Sequence, residues 1–335
     1  MSPLRVGILG AAKIVPSALL KPARAGGDVE VAAIAARDPK RAEAFAAKHG
    51  IPTVHRTYDA LLGDASLDAV YIPLPNGLHG RWTVAALDAG LHVLCEKPFT
   101  ANAVEARAVA DAAAASGLVV MEAFHWRYHP LAARMVEIAR SGELGELRHI
   151  EAAMCFPNFK RNDIRWQLAL AGGALMDAGC YAIHWARTLA GAEPAVEWAA
   201  SLMRSPGIDR RSEVDLSFPG GLTGHVIASM WSSSILRLTL RVDGTKGTLK
   251  VFNPIAPQFG SRMTVKAQGK KRRVKVDTDG STYDYQLRAF VGAVREGVPT
   301  LTAPDESVAN MRVIDAAYRA AGLEPRYAFG EDPWA

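Results

Sequence analysis

The chain has 335 residues, of which 49% are apolar and 22% charged, with a formal net charge of +5. That length exceeds one ordinary core and predicts two domains, and the composition excludes disordered and fibrous classes. The small positive excess is dispersed except at Lys270-Lys271-Arg272-Arg273, which alternates into Val274 and Val276 and reads as a solvated strand end rather than a nucleic-acid patch.

Up to Phe124 short β-branched runs alternate with alanine-rich amphipathic segments. In chain order the pattern predicts a strand at 4–9, a helix at 16–25, a strand at 29–35 and a helix at 39–49, with Asp38 as N-cap and a proline at the first helical position. A strand at 69–72 follows, then a helix at 79–89 ending at Gly90, a strand at 91–95, a helix at 103–115 closed by Gly117 and a strand at 118–121. Alternating β and α predicts a parallel sheet with right-handed crossovers.

The texture changes after Phe124. Helices are predicted near 130–140 and 173–189, with a strand near 149–155 between them. Strands then follow without intervening helices at 195–203, 213–218, 222–231, 236–242, 247–252, 263–267 and 273–276, before two closing helices at 285–296 and 305–321. Period-two alternation predicts an antiparallel sheet with one covered face. The expected architecture is a nucleotide-type α/β domain over 1–124, followed by an α+β domain over 125–335 with a large, mostly antiparallel open sheet.

Cys95, Cys155 and Cys180 have no metal-like spacing and lie in apolar surroundings, as expected of reduced thiols. The N-terminus enters a strand directly, and no apolar stretch reaches membrane-spanning length. The expectation is a cytoplasmic protein with neither membrane nor nucleic-acid partners. No His, Asp and Glu cluster shows ligand spacing outside the site described below, so no metal is expected.

Five segments carry chemistry. Gly10, Ala12 and Val15 stand at the G-x-G-x-x-G spacing after the first strand, where small residues let the backbone approach a pyrophosphate. The second strand ends Ala35-Ala36-Arg37-Asp38, with alanine where an NAD site has its ribose-binding acid and arginine next to it. A guanidinium suits a 2′-phosphate, which favours NADP over NAD; Asp38 leaves the alternative of an acid displaced by two residues. Pro73-Leu74-Pro75-Asn76-Gly77-Leu78-His79 makes a stiff loop at the sheet's ligand-binding edge, and Glu96-Lys97-Pro98 holds an acid and a base at a strand end there. In the helix after Gly172-Gly173, Asp177, Tyr181 and His184 fall at i, i+4 and i+7, on one face. Such a trio is costly to bury without a purpose.

These segments, with Met121-Glu122-Ala123-Phe124, Arg127-Tyr128-His129-Pro130 and Gly-Gly-Ala-Leu-Met-Asp-x-Gly-x-Tyr, occur in the order found in the Gfo/Idh/MocA oxidoreductases. The chain resembles that family, and within it the branch of dimeric dihydrodiol dehydrogenase, NADP-dependent D-xylose 1-dehydrogenase and glucose–fructose oxidoreductase. The resemblance implies a Rossmann domain, a C-terminal domain with a large open antiparallel sheet, and hydride transfer between nicotinamide and a sugar, anhydro-sugar or cyclic polyol. A homodimer or homotetramer is expected through the C-terminal sheet, with the alternating strands of 222–242 as the candidate face. The resemblance also implies that Lys97 contacts the substrate hydroxyl and nicotinamide ribose, that Tyr181 is the acid/base and that Asp177 orients the substrate. The inositol dehydrogenase branch has histidine at the Tyr181 position, which argues against myo-inositol. No export segment is expected, unlike in the periplasmic glucose–fructose enzyme.

Gly10, Ala11, Ala12, Lys13, Ile14, Ala36, Arg37, Pro73, Leu74, Asn76, His79, Glu96, Lys97, Arg165 and Trp166 are expected on the cofactor. Phe124, Arg127, Asp177, Tyr181, His184 and Lys97 are expected on the substrate. Specificity is expected from 124–129, 156–166 and loops of the second domain. Oxidation needs a proton acceptor as well as a hydride acceptor, and Tyr181 tuned by Lys97 fills that role. A non-catalytic NADPH-binding sensor of the same fold, or a structural relative that scaffolds a partner, is the rival reading.

Overall fold

The structure, a computed structural model, describes residues 2–231, 233 and 236–328. Positions 232, 234 and 235, within the 222–242 stretch offered above as an oligomerisation face, and 329–335 of the expected second domain lie outside the described residues.

The chain begins β1 (Leu4–Leu9), α1 (Lys21–Gly26), β2 (Val29–Ala35), α2 (Pro39–His49), β3 (Thr53–His55), α3 (Tyr58–Leu62), β4 (Ala69–Ile72), α4 (His79–Asp88), β5 (His92–Cys95), α5 (Ala103–Ser116) and β6 (Val120–Glu122). The strands form a six-stranded sheet in the order β3-β2-β1-β4-β5-β6, with all neighbours parallel. Ile8, Ile34, Val70 and Val93 are fully buried, as near-continuous apolar strands of a doubly covered sheet should be. α2 follows its sequence signals: the Asp38 carboxylate accepts the Lys40 N–H, Pro39 opens the helix and left-handed Gly50 closes it.

The helix predicted at 16–25 is instead a π-turn (Pro16–Leu20) running into α1. Pro22 has no N–H to offer Ala18, and the Lys21 N–H reaches back to the Pro16 carbonyl.

The second stretch holds α6 (Pro130–Arg140), β7 (Leu147–Cys155), α7 (Cys180–Ala190), β8 (Ala195–Ser205), β9 (Ile208–Ser217), β10 (Thr223–Ser229), β11 (Arg237–Gly244), β12 (Gly247–Phe252), β13 (Arg262–Ala267) and β14 (Lys270–Val274). They build an eight-stranded sheet in the order β14-β13-β12-β11-β7-β10-β9-β8, in which β7 and β10 run parallel and the other neighbours antiparallel. One face carries Ile150, Ala152, Val214, Val226, Leu240 and Val242, all buried, with α7 lying on β7 and β10. The other face carries Glu151, Asp215, His225 and Arg241, which retain solvent exposure.

α8 (Thr282–Glu296) and α9 (Pro304–Ala320) close the chain. By compactness the chain falls into two units: one runs to His125 and regains Tyr283–Val308, and the other holds Trp126–Thr282 and the chain from Ala309. No helix among the described residues is long and apolar enough to cross a membrane.

Candidate active site

In the first unit the candidate residues gather at the C-terminal ends of parallel strands, where open α/β sheets bind ligands. Gly10 ends β1 with φ +109°, and a Cβ there would stand 3.0 Å from Leu74 Cδ2, so the turn requires glycine. The Gly10 N–H donates to the Ala35 carbonyl at 2.8 Å, joining the ends of β1 and β2. Ala11, Ala12 and Ile14 are half-buried, Lys13 is exposed, and Val15 is fully buried where the helical segment meets the sheet.

Ala36 is buried and Arg37 exposed at the end of β2. The Arg37 N–H donates to Tyr58 Oη at 3.2 Å. Asp38, the displaced-acid alternative, is engaged as the cap of α2. Arg41, one turn into α2, donates Nη2–H to the Ala11 carbonyl at 3.3 Å. The Arg41 guanidinium therefore stands against the first turn, and Arg37 lies at the neighbouring end of β2. Arg41 went unremarked in the sequence, although its place three residues after an N-cap is visible there.

His79 is fully buried, with Nδ1 2.7 Å from the Pro98 carbonyl and Nε2 2.8 Å from the Leu74 carbonyl. Burial pushes its pKa down to about 4, against the raising effect of the two carbonyls, so the neutral ring donates its one N–H either to the Pro73–Pro75 loop or to the turn after β5. Pro73 and Leu74 are buried, and Asn76 is half-buried at the start of a short 3₁₀ turn (Asn76–Leu78).

Glu96 accepts the Tyr71 hydroxyl at 2.6 Å. Burial, and then the Glu96 charge, push the Tyr283 hydroxyl well above the usual phenol range, so that phenol stays protonated. Lys97 is half-buried and is followed by a cis peptide bond to Pro98. Phe124 is buried, and His125 stacks on Tyr283 at 4.2 Å.

In the second unit Asp177 lies in a π-turn (Leu175–Gly179) that continues into α7. The i, i+4, i+7 spacing presumed an unbroken α-helix, so periodicity alone does not put Asp177 above Tyr181; π-turns of this kind recur at functional sites. Asp177, Tyr181 and His184 are nonetheless all buried, at 6%, 4% and 1% exposure. Arg165 donates Nε–H to Asp177 Oδ2 at 2.8 Å and Nη1–H to Asp163 Oδ1 at 3.2 Å. Asp163 also caps the 3₁₀ turn Ile164–Trp166 that carries the arginine. The Asp177 charge raises the Arg165 pKa further.

Tyr181 packs against Trp185, ring centroids 6.4 Å apart. His184 Nδ1 accepts the Trp126 Nε1–H at 3.3 Å, which assigns the proton to Nε2 of a neutral ring. Trp166 is buried with Ala174, Ile208 and Met230, and the Arg204 guanidinium lies 4.5 Å over its ring. Arg127 is half-buried in the 3₁₀ turn His125–Tyr128.

Residues 4–124 match the oxidoreductase family with an NAD-binding Rossmann fold, and residues 132–250 match the GFO/IDH/MocA C-terminal domain. The chain is 42% identical to a D-xylose 1-dehydrogenase (NADP(+)) of Haloferax volcanii, over 94% of this chain and 96% of that protein. Among solved structures, a 3-ketoreductase from Actinomadura kijaniata in complex with NADP and TDP-benzene superposes with a TM-score of 0.87 at 29% identity, covering 95% of this chain and 98% of that one. An aldose-aldose oxidoreductase from Caulobacter crescentus, complexed with glycerol, superposes with a TM-score of 0.88 at 26% identity, covering 97% and 100%. On these matches, the chain belongs to the Gfo/Idh/MocA family of oxidoreductases.

Proposed function

We propose that the protein is an NADP(H)-dependent oxidoreductase that interconverts a hydroxyl and a carbonyl group on a sugar, anhydro-sugar or cyclic diol or polyol. The observation that carries this reading is the buried series Asp177, Tyr181 and His184, with its acid held by Arg165. The xylose dehydrogenase and the NADP-bound ketoreductase support the substrate class and the cofactor.

The bare backbone at Gly10 suits a pyrophosphate, with Ala11 to Ile14 alongside. Arg37 and Arg41 suit a 2′-phosphate, and Asp38, engaged in capping α2, offers a ribose 2′-hydroxyl less. Bound there, the cofactor supplies the hydride acceptor or donor.

The chain's own residues handle the proton. In the oxidative direction the substrate hydroxyl gives its proton to Tyr181 as its carbon gives up hydride; reduction runs the same transfers backwards. A free phenol titrates near 10, and a nearby ammonium lowers that value. Lys97 has that role in this reading, and it steadies the alkoxide. Asp177 accepts a hydrogen bond from a second substrate hydroxyl, and Arg165 fixes its direction. Turnover followed at the nicotinamide band, with NADP and NAD, across aldoses, anhydro-sugars, inositols and dihydrodiols tests the reading. NADPH binding without turnover on any of them would count against it.

The same reading includes a homodimer or homotetramer formed through the eight-stranded sheet. Across its outer face one cross-strand row runs Arg273, Thr264, Lys250, Arg241, Glu151, His225, Asp215 and Trp198. Cations occupy one half and carboxylates the other. A two-fold axis along the strands would set each half against its opposite on a second copy. Trp198, Leu202 and Phe252, 48%, 51% and 46% exposed, supply apolar area on that face. Cytoplasmic residence fits the three cysteines, all buried and none joined in a disulfide.

A further inference from the structure

Asp209, in β9, is fully buried and has no part in the chemistry above. Its Oδ2 accepts the Leu175 N–H at 2.7 Å and the Ser212 hydroxyl at 3.0 Å. Its Oδ1 accepts Arg326 Nη2–H at 2.7 Å and the Tyr318 hydroxyl at 3.0 Å. Arg326, 2% exposed, also donates Nε–H to the Gly172 carbonyl at 2.7 Å and lies 4.0 Å over the Tyr318 ring.

This cluster grips both ends of one turn. Gly172 is held through its carbonyl and Leu175 through its N–H. Between them the backbone at Gly173 has φ +129° and passes so close that a Cβ would stand 2.2 Å from Asp209 Oδ1 and 2.6 Å from Arg326 Nη2. The Gly173 N–H donates to the Arg165 carbonyl at 2.9 Å, and the Asp177 N–H to the Gly173 carbonyl at 3.1 Å. Both partners of the Arg165–Asp177 pair are therefore referenced to the turn that Asp209 holds.

Buried ion pairs are seldom a net gain over well-packed apolar residues. What this one provides is direction: the Leu175 N–H is drawn onto Asp209 at the mouth of the π-turn, two residues before Asp177.

We propose that Asp209, with Arg326 and Tyr318 behind it, is a positioning residue that fixes the Gly172–Leu175 turn and so aims Asp177 at the substrate. This rests on the reading that Asp177 orients the substrate. A reacting geometry displaced by about 1 Å can lose about 10²-fold in rate, so small motions of this turn matter.

The test compares Asp209→Asn, Tyr318→Phe and Asp177→Asn with the wild type, well below the melting temperature. NADPH titration counts folded molecules in each preparation. Asp209→Asn is expected to lower kcat/KM for the sugar by about 10–100-fold per NADPH-binding molecule, with NADPH affinity unchanged. Tyr318→Phe, which removes one donor and no charge, is expected to show a smaller loss in the same direction. Asp209→Asn is expected to add little to Asp177→Asn, because both act through one group.

If Asp177→Asn is impaired while folded Asp209→Asn and Tyr318→Phe turn over normally and only melt earlier, the cluster is structural and the proposal is overturned. Should Asp209→Asn not fold, normal kcat/KM in Tyr318→Phe overturns it. Normal turnover in Asp177→Asn overturns the reading of the site itself, and this proposal with it.

Discussion

Arg165 and Asp177 are joined by a 2.8 Å Nε–Oδ2 hydrogen bond across twelve residues of chain. The two ends differ in environment: the Asp177 side chain is 8% exposed and that of Arg165 41%. The guanidinium reaches in from the surface and compensates a carboxylate that water barely touches. It is pinned in turn by Asp163, so the pair offers a fixed carboxylate rather than a mobile one.

Arg165→Ala removes that compensation. Losing a charge-assisted hydrogen bond to this buried carboxylate costs about 1.5–3 kcal/mol, read as a lower melting temperature, and kcat/KM falls with it. Arg165→Lys restores charge without the planar fork and should recover part of the loss. Unchanged melting and kinetics in Arg165→Ala would show that the pair is incidental.

Cofactor choice tests the first turn. Charge-assisted hydrogen bonds contribute about 1.5–3 kcal/mol, so Arg37→Ala and Arg41→Ala should each raise the KM for NADPH by about 10–100-fold and leave that for NADH nearly unmoved. An equal loss with both cofactors would place these arginines outside 2′-phosphate recognition.

Gly10→Ala probes the close approach of backbone to ligand. The substitution puts a methyl 3.0 Å from Leu74 Cδ2 at φ +109°, a conformation that costs a non-glycine residue about 1–3 kcal/mol. NADPH affinity should drop with little change in the rate of saturated enzyme. Wild-type affinity would put the pyrophosphate elsewhere.

Acid stability follows from two histidines. The His79 pKa is about 4 in the fold against an ordinary 6.5, through burial. Between those values the unfolded chain binds the proton and the folded chain does not. Stability is therefore complete above pH 6.5 and is lost as pH falls from there through 4, by up to about 3 kcal/mol. His129 acts in the same window: burial lowers it to about 4, and its Nδ1 accepts the Leu131 N–H as the cap of α6, which a protonated ring could not do. Urea unfolding across this range should show the slope, reduced in His79→Asn; stability that is flat or rises on acidification would contradict the account.

Oligomers held by the charged row should loosen with salt. Exposed pairs are screened at high ionic strength, so sedimentation at low and at molar salt should show a shift toward monomer, and Glu151→Lys should weaken assembly at low salt. A monomer at low salt would remove the sheet from the account of assembly.

Legibility in the sequence tracked how local each determinant is. α6 begins at Pro130 and ends at Arg140, as its amphipathic period predicts. The 53–62 stretch gave no reading, because β3 has three residues and α3 five, too few for a period. The π-turn at Asp177 was read as α because its geometry depends on Asp209, 34 residues from Leu175 along the chain, drawing away that N–H. The return of Tyr283–Val308 to the first unit is likewise a tertiary fact, without local pattern. Strand-end residues such as Gly10 and Glu96 were legible because parallel sheets place function there. Their contacts, with Leu74 in the loop after β4 and with Tyr71 in β4, join distant stretches of chain and were not.

The measurement that tests the central claim most directly is the turnover of Tyr181→Phe, with NADPH binding measured on the same preparation. The account predicts intact NADPH affinity and a kcat lower by about 10²–10⁴-fold, the usual worth of a positioned acid–base group. A near-wild-type kcat would contradict it and move the proton to another side chain.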